Sequence, residues 1–125
     1  DGSDATIICV GGIVNEALKA SNILRQKGIS LRVLSVGTLK PLEIDEIILA
    51  VEQTKLVLTL EENTIIGGLA GAVSETCMNN GLSPKKFQAL GIPDIFPSVV
   101  GDQQYLRKHF KLDADSLVKK IIELQ

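Results

Sequence analysis

Apolar positions along the chain follow two rhythms in turn. Short, nearly continuous apolar runs, "TIICV" (6–10), "LRVLSV" (31–36), "KLVLTL" (55–60) and "KFQAL" (86–90), predict buried strands. Between them, apolar residues recur at helical spacing. Val14, Ala17, Leu18, Ser21 and Leu24 predict a first helix, closed by Gly28 after Lys27. Pro41 suits the entry of a second helix, whose stripe is Ile44, Ile47, Ile48 and Val51. Leu69, Ala70, Val73 and Cys77 predict a third, ending at Asn80-Gly81. Residues 91–101 carry two prolines and no period, and read as an ordered loop. Two helices close the chain: one from Asp102, containing Tyr105, Leu106 and Phe110, and one capped by Asp113 that buries Leu117, Val118 and Ile121.

Strands alternating with helices mean right-handed βαβ crossovers, hence a parallel sheet with helices on both faces. A doubly wound order of 2-1-3-4 is expected, with "KFQAL" nearest an edge. In that order the direction reverses between strands 1 and 3. The loops after those strands, Gly11-Gly12 and Glu61 to Gly68, then line the crevice where such folds usually bind ligands.

Composition agrees. The 125 residues suit a single domain, spanning 1–125, with one core. Hydrophobic residues make up 45% and aromatic residues only 3%, so the core is aliphatic, as in a sheet covered on both faces. A net charge of −2 gives no reason to expect nucleic acid or an anionic membrane as partner. No apolar run approaches the roughly 20 residues of a membrane span, and "DGSDA" is no basic leader. The expected compartment is the cytoplasm. A chain that starts at Asp1 reads as a fragment of a longer protein.

Candidate chemistry clusters in "EENTIIGGLAGAVSE" (61–75), at the turn from strand 3 into its helix. Glu61 and Glu62 stand where a strand's carboxyl end could present a general acid or base. Adjacent strand residues face opposite ways, however, which favours one of them meeting the free N–H groups of the next helix. Gly67, Gly68 and Gly71 fit either an anion at those N–H groups or close packing of helix on sheet, and packing is preferred. The dinucleotide fingerprint is incomplete: "GGIVNEALKA" has no third glycine, and "SVGT" supplies no acid. No P-loop lysine pair is present, and strand 1 ends in Val10-Gly11 without the acids of a phosphoryl-accepting receiver. Cys9 and Cys77 read as small buried apolar residues. With one histidine, His109, on a charged helix, neither a zinc site nor a nucleophilic triad is expected.

Several stretches together resemble one family. "VGGIVNEALKASNILRQKGISLRVLSVGTLKPLEIDEI", "VLTLEENTIIGGLAGAVSE", "LGIPDIF" and "KLDADSLVKKI" are similar, in order and over almost the whole chain, to the C-terminal domain of transketolase-like enzymes. That family includes transketolase, 1-deoxyxylulose-5-phosphate synthase and the beta subunits of 2-oxoacid dehydrogenases. The resemblance implies an α/β fold of three layers, α/β/α, with a mostly parallel doubly wound sheet of about four to five strands. One strand is expected antiparallel, from the segment near or before residue 1. It also implies that thiamine diphosphate and Mg are held by other domains of the parent enzyme, amino-terminal and pyrimidine-binding. This domain then binds no cofactor or metal, carries no catalytic residue and is inactive alone. It supports a homodimer and domain assembly in ketol transfer between sugar phosphates.

The pattern departs from the family at two positions. Asn63 takes the place of a histidine and cannot titrate near neutral pH, and Ala70 replaces a later glycine. The turn Thr38 to Leu42 is intact, as is Gly91 to Asp94, which is nearer transketolase and the synthase than the dehydrogenase subunits. A different class of function remains in view: a stand-alone module binding an anion or a partner at Gly11, Gly12, Glu61, Glu62, Asn63, Gly67 and Gly68. A pure dimerisation scaffold is a third reading.

Overall fold

The computed structural model describes residues 4–36, 44–64, 68–92, 107–108 and 111–125, with backbone alone at Asn63, Thr64 and Ile92. Four strands, β1 (Ala5–Cys9), β2 (Leu31–Ser35), β3 (Leu56–Thr64) and β4 (Lys86–Ile92), form one sheet in the order β2-β1-β3-β4. All three pairings are parallel, with Ala5 opposite both Leu31 and Leu56, and Leu56 opposite Lys86. The expected order is the observed one. Each predicted strand is present within a few residues; β3 runs on through the acids to Thr64. The antiparallel strand expected near or before residue 1 falls outside the described residues.

Strand β1 is central and wholly buried, which is why its run is apolar throughout. Its alternate residues feed two cores. Ile7 and Cys9 join Ile13, Ala17 and Leu24 of the first crossover and Leu117 and Ile121 near the C-terminus. Ile8 joins Ile47, Val51, Leu69, Val73 and Cys77 on the other face. Helices α1 (Val14–Gln26) and α4 (Ala114–Leu124) thus cover one face, and α2 (Ile44–Gln53) and α3 (Leu69–Asn79) the other. The result is three layers.

Helix faces differ in part from expectation. In α1 the buried stripe is Ala17, Ala20 and Leu24, with Glu16 beside it, while Leu18 is 49% exposed. Leu18 lies a helical step of about 100° round from Ala17, off the sheet. In α2, Ala50 is buried and Ile44 exposed. The stripes of α3 and α4 are as predicted. Gly28 and Gly81 take positive φ, 80° and 66°, at the ends of α1 and α3, as C-terminal caps require. Of the helix expected from Asp102, Arg107 and Lys108 are described and helical; Tyr105, Leu106, His109 and Phe110 lie outside the described residues. So do Thr38 to Leu42 and most of the 91–101 loop. Among the described residues, no helix is long and apolar enough to cross a membrane.

Candidate functional site

The carboxyl ends of β1 and β3 lie side by side, and two separate constellations form there. The first begins where β1 turns into α1. Gly11 has φ 84° and opens a short 3-10 turn, Gly11–Ile13, that feeds α1. An ideal Cβ on Gly12 would lie 3.7 Å from Nη2 of Arg107, so the guanidinium rests over this turn. Arg107 is 9% exposed. It grips Glu62 with two parallel bonds, Nε to Oε2 at 3.0 Å and Nη2 to Oε1 at 3.1 Å. Its Nη1 lies 3.8 Å from Oε2 of Glu16. The bonds it donates to Glu62, with the nearby charges of Glu62 and Glu16, hold the guanidinium more firmly in its charged form against burial.

Glu16 is itself buried, although it sits in a helix of ordinary amphipathic pattern. Its Oε1 accepts the backbone N–H of Ala114 at 2.9 Å, and its Oε2 meets Nζ of Lys19 at 3.3 Å. The first N–H of α4 is therefore capped by a residue of α1. Asp113, the expected cap, makes no side-chain bond to the α4 backbone; its Oδ1 accepts from Ser116 Oγ at 2.6 Å instead.

The second constellation is one residue away along β3 but on the other side of the sheet. Glu61 is 3% exposed, and its Oε1 accepts the N–H of Leu69 at 2.7 Å, at the start of α3. Burial raises its pKa above the ordinary 4.5, and bonds from the backbone N–H groups of Leu69 and Ala70 act against that rise. The carboxylate therefore occupies the place an external anion would take at this helix start. Gly68 explains itself by the same contact. A Cβ there would fall 2.8 Å from Glu61 Oε2 and 2.9 Å from its Cδ, closer than real side chains approach. Gly71, by contrast, has nothing within 4 Å of such a Cβ, so close packing on the sheet does not account for it.

Of the residues singled out in the sequence, Gly12 and Glu62 meet around Arg107, and Glu61 meets Gly68. Gly11 supplies the turn. Asn63 continues β3, its side chain outside the description, and Gly67 lies outside the described residues. Glu61 and Glu62 do not share a partner. Arg107 and Glu16 were not foreseen. For Glu16 a signal existed: it stands three residues after Ile13 and four before Ala20, both fully buried. Arg107, whose partner Glu62 is 45 residues away, had none.

Cys9 and Cys77 are free and buried, and burial pushes both thiols up, Cys9 to about 11. They pack as apolar side chains, with Cys9 Sγ 3.7 Å from the Leu34 carbonyl. Among the described residues, no group of three or more His, Cys, Asp and Glu side chains is placed to hold a metal.

A family model described as "Transketolase, C-terminal domain" matches residues 1–117. The chain is 44% identical to a transketolase C-terminal section of Methanocaldococcus jannaschii, over 98% of this chain and 37% of that one. It is 36% identical to a 1-deoxy-D-xylulose-5-phosphate synthase of Desulforudis audaxviator, over 95% of this chain and 19% of that one. Among solved structures it is similar to a split-gene transketolase in an inactive beta4 tetramer. The TM-score there is 0.86 at 30% identity, over 98% of this chain and 39% of that one. The chain thus spans well under half the length of these relatives.

Proposed function

The chain belongs to the transketolase C-terminal domain family, and on that premise we propose that it is the assembly domain of a ketol-transferring enzyme. In this reading it binds the amino-terminal and pyrimidine-binding domains, supports a homodimer in the cytoplasm, and leaves the reacting groups to those domains. One observation carries the proposal. The ionisable side chains at the carboxyl ends of β1 and β3 are spent on this chain's own backbone and on each other: Glu61 on α3, Glu62 and Glu16 on Arg107, and Glu16 on α4. A group that acts on a substrate needs free bonding capacity and access. These groups instead tie the sheet to its helices. Thiamine diphosphate and Mg belong, in this proposal, to the other domains of the parent enzyme, as the family resemblance implies. The same bonding weighs against a stand-alone anion module at this crevice, because Arg107, its buried cation, is already neutralised.

The test is reconstitution. Ketol transfer between sugar phosphates is expected only when the amino-terminal and pyrimidine-binding domains are supplied with this chain. Turnover by the 125 residues alone, or Mg-dependent calorimetric heat on adding thiamine diphosphate to them, overturns the proposal. The similarity to a 1-deoxy-D-xylulose-5-phosphate synthase supports a second parent enzyme. Formation of 1-deoxy-D-xylulose 5-phosphate by the reconstituted protein decides between the two.

A further inference from the structure

We propose that the groove between β4 and α4 is a binding site for a small phosphate ester. Its lining shares no residue with the constellations at the β1 and β3 ends, and the proposal is independent of the assembly role. The groove has a volume of about 450 Å³, within the range of small-molecule sites. One wall is a single face of α4, on which Ser116, Lys119, Lys120 and Glu123 recur at helical spacing. The floor is residues 88–91 of the edge strand, where Leu90 packs on the core, together with the buried Leu112.

Two observations point to an anion. The first is charge. Lys111, Lys119 and Lys120 line the groove against one carboxylate, Glu123, in a chain of formal net charge −2. Glu123 lies 4.0 Å from Lys120, and among the described residues neither Lys111 nor Lys119 has an ion-pair partner.

The second is the backbone at Lys111. Its φ is 61°, and among the described residues it alone of the non-glycines has positive φ. It closes the turn after Arg107 and Lys108: its N–H donates to the Lys108 carbonyl at 3.1 Å, and the Leu112 N–H to the Arg107 carbonyl at 2.7 Å. Glycine takes this helix-ending conformation with less strain. Lys111 holds this conformation at a cost in backbone strain, and it lines the groove. The apolar floor of Ala89, Leu90 and Leu112 beside the cations favours an ester, with a carbon portion to cover it, over free phosphate.

The ¹⁵N-labelled chain is titrated with glycerol 3-phosphate, with inorganic phosphate and with sodium chloride at matched ionic strength. The expected result is saturable shifts of the Gln88, Gly91, Leu112 and Ser116 amides, tighter for the ester than for phosphate and absent with chloride. Lys111→Gly is expected to weaken ester binding about tenfold while its thermal midpoint stays level or rises. Lys119→Gln is expected to weaken binding to a similar degree. Shifts reproduced by chloride, or an undiminished affinity in both variants, overturn the site. Equal affinity for phosphate and ester overturns the assignment to an ester.

Discussion

Glu16 in the first helix accepts the N–H of Ala114 in the last at 2.9 Å, across 98 residues of sequence, and the same carboxylate lies 3.8 Å from Arg107. A cap supplied by a distant element couples the two helices it joins. Glu16→Ala removes the α4 cap and leaves Arg107 with Glu62 alone, and about 2 kcal/mol of stability is expected to go with it. Glu16→Gln keeps an acceptor for Ala114 and is expected to lose less. Urea unfolding reads the totals. Hydrogen exchange at Ala114 and its neighbours reads the location, and faster exchange in the alanine variant should be concentrated there.

Arg107 and Glu62 form a partly buried, two-bond pair. Arg107→Met takes the guanidinium from two carboxylates, one of them Glu16 at 3% side-chain exposure, and is expected to cost about 2–3 kcal/mol. Removing the pair together, Glu62→Gln with Arg107→Met, is expected to cost less than the sum of the single changes. Strict additivity in a double-mutant cycle would show that the two side chains do not act as a unit.

Gly68 and Gly71 separate two reasons for glycine in one turn. Gly68→Ala sets a methyl against the buried Glu61 carboxyl and is expected to destabilise by about 1–3 kcal/mol. Gly71→Ala meets open space inside α3 and is expected to stabilise by up to about 1 kcal/mol. Thermal midpoints that fall alike in both variants contradict this account.

Burial raises the pKa of Glu61 above its ordinary 4.5, so the folded chain holds that proton more tightly than the unfolded one. The stability this group contributes is therefore full below pH 4.5 and is lost as pH rises through its folded value. Glu61→Gln stays neutral and keeps an acceptor for Leu69. The stability difference, parent minus variant, is expected to shrink as pH climbs above 4.5. A difference that grows with pH, read from urea midpoints, means that the Leu69 and Ala70 bonds outweigh burial.

The strands and their order were legible because a sheet covered on both faces needs continuous aliphatic runs, and β1 shows one at every position. The helix start after β3 was legible for a similar reason: an acid beside free N–H groups has few other uses. Helix α1 was read less well. Leu18 reads as core by type, and Glu16 as surface by charge, yet the sheet lies on the side of Ala17, Ala20 and Leu24. Small alanines there let α1 and α4 approach, and that approach buries Glu16. Arg107 shows the general limit. Local pattern records which face of an element is apolar, whereas an ion pair between segments 45 residues apart leaves no periodic trace.

The order of the elements also sets a timetable for synthesis. Strand β1 and helix α1 leave the ribosome before the other described elements, but the core layer around Ile7, Ala17 and Leu24 is closed by Leu117 and Ile121. A nascent chain that has released everything through β4 still presents that apolar layer to its surroundings, with Glu16 lacking the Ala114 amide it will cap. Chaperone contact with translating ribosomes should accordingly persist past Ile92 and end once α4 has emerged.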